Sequence, residues 1–544
     1  MKKRMRIKWL PVLASAISIS LIAACSNDDS ASTSNSASSA NSASTNKSSE
    51  SVKIKVWYPL NGNQSAVIKS MSEIPMVQEW QKKSNVTFDW IHPSGTSTND
   101  YIQQLGVMLA SNDLPDTMIM QWTLLPGGIA KLYNDGAIIK LNDLIDKYAP
   151  NLKKIMAENP SVAKQIKADN GDILTLPNLT YGEYGKYRTF SGLIIRQDWL
   201  DELGLKSPET IDEWETVLTA FKEKKGAQAP FELNKDSVIS SNDFAGAFGV
   251  GGMNSFYLDG STVKFGPMEP AFKPYLSIMQ SWYKNGLIDP DFATNDGKTM
   301  TTKVTTGKAG AFYGFIGGSI GSVLPAMQAT DPKANLTATQ YPVLKKGDEP
   351  KFIPASYEYS GTGVVITKAN KHPEEAVKAF DYLFSQDGAM LKNFGIDGQT
   401  YTKVNGQPVY TDLILKNPDK LPIAQAMGKY FAANFPFVGA NDDRYNDQYY
   451  QLQQQKDAVK TYAKYANNAY TVLMPPVSLT PEESKETGKI MNDVNTYLNE
   501  IVVKIVMGAA SVSEFDKAIE QLKKMNIDRA IQIQQAALDR YNKR

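Results

Sequence analysis

The chain of 544 residues contains one cysteine, Cys25, and two histidines, His92 and His372. A single thiol forms no internal disulfide, and two scattered imidazoles cannot build a zinc cluster. The fold must therefore be held by burial, which a chain of this length permits. Beyond residue 24 no run is apolar and long enough to span a bilayer. An excess of one charge is missing too: 58 basic residues stand against 57 acidic ones. Five of the basic residues (Lys2, Lys3, Arg4, Arg6 and Lys8) fall within the first 24 positions, and without them the balance is 53 to 57, about −4. A nucleic-acid partner would call for a concentrated basic face, so that class is excluded. There is no P-loop and no G-x-G-x-x-G after a strand.

The first 24 residues combine a basic head, an apolar run from Trp9 to Ala24 and small residues at the end, the pattern of a cleaved secretion signal. The segment Ile22-Ala23-Ala24-Cys25 resembles the lipobox of bacterial lipoproteins. Cleavage before Cys25 frees a thiol and an amine that can both be acylated, and two or three acyl chains anchor stably where one does not. The expected location is the extracellular side of the cell membrane, held by lipid (palmitate or a similar chain). The competing reading is an ordinary signal with an accidental cysteine. Residues 26–50 carry 11 serines in 25 positions. Such a segment cannot offset the entropy of folding. Residues 25–50 are read as a flexible tether with an r.m.s. span of roughly 25–30 Å.

Order begins at Val52. Val52, Ile54 and Val56 alternate with Lys53 and Lys55, a half-buried strand. A helix near Met76 to Lys83, a strand from Val86 to Trp90 and a short buried strand from Met118 to Met120 follow. Strands alternating with helices indicate an α/β architecture. Thr210 to Glu213 is a capping box ahead of the stripe Ile211, Trp214, Val217, Leu218 and Phe221, with Gly226 past the end. Pro373 opens a helix ending near Gly388. Ser513 is read as the cap of a helix from Glu514 to Lys524, and a last helix groups Ile527, Ile531, Leu538 and Tyr541.

Catalytic motifs are scarce. Gly317-Gly-Ser319-Ile-Gly321 matches the nucleophile elbow G-x-S-x-G, with His372 later in the chain, but so short a pattern recurs by accident. The alternative is a Gly-rich turn after a buried strand from Ala311 to Ile316. Asp289-Pro-Asp291 and Asn441-Asp-Asp443 offer oxygens without calcium-loop spacing and are read as helix caps or solvated turns. Two carboxylates placed for glycoside hydrolysis remain open, since 57 acidic groups are available. No cofactor and no metal are expected.

Several segments resemble the extracellular solute-binding proteins of ABC importers, in particular the large sugar-binding lipoproteins of Gram-positive bacteria. They are Asp116 to Trp122 with Asn134 to Ala137, Arg196 to Gly204 with Thr210 to Trp214, Trp282 to Phe292 with Gly307 to Ala311, Asn393 to Gly398, and Leu522 to Met525 with Leu538 to Tyr541. The resemblance covers almost all of residues 51–544. It implies a two-lobed, type II periplasmic-binding-protein-like α/β fold with crossing hinge strands. The first lobe would take 51–178 and 310–368, the second 179–309 and 369–544. It also implies an oligosaccharide ligand in the cleft, ABC permease subunits as partners, a monomer, and no enzymatic step. Some relatives resembling alginate-binding proteins carry an acidic calcium loop soon after the helix that ends near Phe221. Here that stretch, 222–230, lacks the alternating Asp and Asn, so no calcium site is expected there. The alternatives are an envelope-anchored glycoside hydrolase or esterase, or a peptide-binding protein.

Sugars present an apolar face and a ring of hydroxyls, matched by aromatic platforms, amides and Arg forks. Trp122 leads the candidates because it follows a buried strand and matches the family's ligand loop. Core packing is its other reading. Tyr58 and Asn61 end the first strand. Tyr181, Tyr184, Tyr187 and Arg188 share a polar loop just past the expected first crossing. Tyr313, Tyr357 and Tyr359 flank the other crossings. Arg444 could fork onto an acidic sugar or pair with Asp442 or Asp443.

Overall fold

Ile54 and Val56 are buried while Lys53 and Lys55 are exposed, so the alternation in the first strand sets which face meets the core. The computed structural model describes residues 51–95, 98–125, 127–182, 189–235, 243–253, 255–433 and 436–544. The signal (1–24), the tether (25–50) with Cys25, and the candidates Tyr184, Tyr187 and Arg188 lie outside the described residues. Described strands, in chain order, are β1 Val52–Trp57, β2 Val86–Ile91, β3 Thr117–Gln121, β4 Leu176–Leu179, β5 Ser191–Arg196, β6 Ala229–Glu232, β7 Phe256–Asp259, β8 Thr262–Phe265, β9 Ala309–Phe315, β10 Leu336–Ala338, β11 Tyr359–Ile366, β12 Tyr401–Val404, β13 Gln407–Tyr410 and β14 Gly439–Ala440.

Two sheets organise the body. One has the order β14-β4-β11-β3-β1-β2, the other β10-β5-β9-β6, and β7–β8 and β12–β13 are separate two-stranded sheets. In the first, β1 runs parallel to β2 and β3, and β11 returns antiparallel between β3 and β4. In the second, β9 is antiparallel to β5 and parallel to β6. Among the described residues the chain passes from one sheet to the other between β4 and β5 and back between β10 and β11. After β14 it leaves the first sheet again for the helix Gln453–Ala463, whose Tyr462 hydroxyl donates to the β5 carbonyl of Leu193 at 2.9 Å.

The expected partition departs from this pairing in two places. Residues 310–338, expected in the first lobe, carry most of β9 and all of β10, which pair with β5 in the second sheet. Part of 369–544 belongs with the first sheet, because β14 pairs with β4 and the helix Pro373–Asp381 packs there. Trp80 donates its indole N–H to the Ala379 carbonyl at 2.7 Å, and the Asp381 carboxylate accepts from the Leu152 N–H at 2.9 Å. Strand pairing across hundreds of residues leaves no local periodicity, so hydrophobic patterning could not place these segments.

Local signals fared better. The Thr210 box makes both of its hydrogen bonds, opens Ile211–Lys225, and ends at Gly226 with φ 66°. The helix from Pro373 stops earlier than expected, because Ser385 starts a new helix, Gln386–Phe394, by accepting from the Gly388 N–H. At the C-terminal end Ser511, not Ser513, forms the cap, over the short turn Val512–Glu514 that leads into Phe515–Lys524.

Candidate functional site

All three passages between sheets border one cleft of about 1590 Å³, lined by Thr180 and Phe190, by 355–362, and by a run that includes Asn441, Asp443 and Tyr445. β5 and β9 are in register at Ser191 and Phe315, which brings Phe190 and Phe315 to the same end of the second sheet. Their rings stack with centroids 6.1 Å apart and planes 15° from parallel. Phe190 is 45% exposed and Phe315 51%, although a chain of this size has ample interior for both. Two large apolar rings left in solvent inside a cleft form a ready platform for a ligand with a flat apolar face.

A further stretch of the lining comes from the helix Pro481–Val506, opened by a capping box at Thr480 and Glu483. Ile490, Val494, Leu498 and Val502 face the core. Asn492, Asn495 and Asn499, together with Thr487, line the cleft. The spacing of the three asparagines places them along one face. The Thr487 hydroxyl and the Asn495 carbonyl oxygen are buried without a hydrogen-bond partner among the described residues. This helix is tied to the first-sheet side of the cleft. Ser484 donates to the Gly127 carbonyl at 2.7 Å, and Arg540 spans Glu483 at 3.0 Å and Asp169 at 2.6 Å.

The cleft is also bordered by amides held from below by a cation. Lys392, fully buried in Gln386–Phe394, donates to the Asn178 and Asn441 side-chain oxygens at 3.1 and 2.5 Å. Both asparagines line the cleft. Burial pushes the Lys392 ammonium down to about 7, with the charge of Asp443 opposing the shift. Gln165 joins this lining by donating to the Glu358 carboxylate and accepting from the Tyr359 N–H.

The expected residues divide. Trp122, Asn61, Tyr357 and Tyr359 do line the cleft. Trp122 is only 1% exposed, with its indole N–H on the Gly363 carbonyl at 2.9 Å, so its ring packs as core. Asn61 spends its side chain on capping Gly62–Ser65 and on Gln64. Tyr357 donates to the Leu473 carbonyl at 3.1 Å. The other four described candidates lie outside the lining. Tyr58 is buried against Phe437 and bonds Gln64, Tyr181 packs half-buried on the main core cluster, and Tyr313 donates to Ser191 at 2.7 Å. Arg444 is held by Asp442 and by Gln407, the Asp442 pairing being the other reading its sequence allows. Sequence reasoning missed Phe190 and Phe315. It also missed the asparagine row, which a 3.6-residue period over 481–506 could have exposed.

The elbow motif has a packing explanation. Ser319 accepts from the Phe315 N–H at 3.0 Å. A Cβ on Gly317 would stand 2.2 Å from the Tyr449 ring, and one on Gly321 2.7 Å from the Gln455 amide. His372 is exposed just ahead of Pro373. Asp289 is not in a solvated turn either: it is fully buried and accepts from Lys303 at 2.7 Å. Among the described residues no group of three or more His, Cys, Asp or Glu side chains could hold a metal ion, and no helix is long and apolar enough to cross a membrane.

The family model of the bacterial extracellular solute-binding proteins matches residues 71–390. The chain belongs to that family. Its two sheets are the two halves of a type II periplasmic-binding-protein-like fold. The solved structure of the alginate-binding protein AlgQ2 without calcium ion superposes with a TM-score of 0.75 at 27% identity, covering 90% of this chain and 98% of that one. The fructooligosaccharide ABC transporter substrate-binding protein FusA of Streptococcus pneumoniae serotype 4 is 24% identical, with 96% of each chain covered. The lipoprotein LipO of Bacillus subtilis is 26% identical, again over 96% of each. As a member of this family the chain is an extracellular solute-binding protein, and FusA among its relatives is named as the substrate-binding protein of an ABC transporter.

Proposed function

We propose that this solute-binding protein captures an oligosaccharide between its two lobes, delivers it to the permease subunits of an ABC importer, and releases it chemically unchanged. The observation that carries the reading is the stacked, half-exposed pair Phe190 and Phe315 in the cleft. A pyranose or furanose ring offers the apolar face such a platform accepts, and the carboxamides around it suit its hydroxyls. The volume of about 1590 Å³ exceeds the usual range for a single small ligand, which favours several sugar units. The lobes on this reading are 51–180 with about 355–450, and about 190–350 with 453–544. Hinge motion at the three passages would close them around the ligand. The protein acts as a monomer, without nucleic acid or cofactor. Calorimetry of the full chain against an oligosaccharide panel tests the proposal: saturable binding without new products is expected. Silence across the panel with binding to peptides, or turnover of a bound glycan, would sink it.

Lipid at Cys25 would keep this body on the outer face of the cell membrane. Support comes from the basic head and apolar run before Cys25, and from likeness to a relative named as a lipoprotein. Cys25→Ala should release the protein to the medium or leave its signal uncut. A variant that is still processed and membrane-bound would refute the anchor.

A further inference from the structure

The fold relatives include one protein named for an acidic polymer, alginate, and one for fructooligosaccharides, which carry no charge. Charge in this chain's own cleft separates these classes. Four charged side chains occur in the described lining: Lys167, Asp172, Glu358 and Asp443, one positive and three negative. Eleven Asn and Gln side chains share the same lining. Carboxylated sugars are best held by guanidinium forks, which bind a carboxylate with two parallel hydrogen bonds. No described arginine lines the cleft. All five are engaged with carboxylates: Arg196 with Asp198, Arg444 with Asp442, Arg529 with Glu486, and Arg540 and Arg544 with Asp169. Lys392, which bonds the lining residues Asn178 and Asn441, is enclosed by side-chain and backbone oxygens, and its charged form is disfavoured by burial.

From this lining we infer that the cleft selects an uncharged oligosaccharide and discriminates against uronate-containing glycans. The inference rests on the sugar-binding reading above. Two physical terms act together. An acidic glycan entering the cleft would leave water for a described lining with more negative than positive side chains, and no described fork would compensate its carboxylates. A neutral glycan meets carboxamides such as the Asn492, Asn495 and Asn499 row, and a carboxamide can both donate to and accept from a hydroxyl.

The test is isothermal titration of the full-length chain in detergent with matched ligands that differ only in charge. Methyl-esterified oligogalacturonides are set against the free acids, with fructo- and manno-oligosaccharides as further neutral ligands and oligomannuronate as a further acid. The expected result is binding within the neutral set, acid forms at least about tenfold weaker than their esters, and affinities that change less than about twofold between low and high salt. Glu358→Gln should narrow the gap between ester and acid. Tighter binding of the free acids, or an affinity that falls steeply with salt and with Arg188→Ala, overturns this inference and leaves sugar capture standing. Silence from both sets overturns sugar capture itself and the inference with it.

Discussion

Replacing Phe190 and Phe315 together by alanine should weaken oligosaccharide binding by about one to two orders of magnitude while leaving the protein folded. Fully covering a Phe side chain is worth about 1.5–3 kcal/mol. Each ring is already about half covered in the free protein, so a ligand gains roughly half of that from each. The pair then contributes about 1.5–3 kcal/mol, and each 1.4 kcal/mol is a factor of about ten. Stability should move by less than about 1 kcal/mol, because the rings stack on one another at the surface and fill no cavity. Calorimetry and thermal melts on the same preparation separate the two effects. A double variant that binds as tightly as the parent would remove the platform from the site. One that fails to fold would show that the rings are structural.

Glu232→Gln should stabilise the protein by an amount that grows with pH, reaching a few kcal/mol near pH 8. Glu232 ends β6 fully buried, receives one hydrogen bond from Asn295 at 3.2 Å, and when protonated donates to the Asp289 carboxylate. Burial, reinforced by the charge of Asp289, raises its carboxyl to about 8 from 4.5, with Lys303 opposing the shift. The sign follows from proton counts. Below about pH 4.5 folded and unfolded chains both hold this proton. Between about 4.5 and 8 only the folded chain holds it, so stability falls as pH rises, by about 1 kcal/mol per pH unit. Glutamine removes that dependence, and its amide N–H can still donate to Asp289. Melting temperatures of parent and variant should therefore diverge from about pH 5 to about pH 8 and run parallel above it. Curves that stay parallel from about pH 5 would mean that Glu232 is ionised in the fold. The neighbouring Lys303, held by Asp289 and Asp291, supplies the fixed positive charge that keeps this acidic cluster together.

The elements read directly from sequence are those whose cause is local. The alternation in β1, the capping box at Thr210 and the glycine at 226 each settle their own geometry within a few residues. The α/β class and the family followed from motifs spread along the chain. The lobe boundaries did not, because β9, β10 and β14 join their sheets through partners more than a hundred residues away. The site candidates divide for the same reason. Residue type and a place after a strand point to Trp122 and Tyr58, and the structure packs both deeply, Trp122 in the cleft lining and Tyr58 outside it. Arg444 was chosen for its charge, and a neighbour two positions away neutralises it.

Sequence alone decided that this chain is a large α/β protein stabilised without disulfides, with a secretion-like leader and no signature of nucleic-acid or metal chemistry. It also decided the family, through residues whose order along the chain is itself the signal. Only the tertiary structure decided which aromatics are ligand platforms and which are core. Exposure depends on what else reaches the same point in space: for Phe190 and Phe315, the pairing of β5 with β9 brings two rings together at the edge of a cleft and leaves each about half exposed.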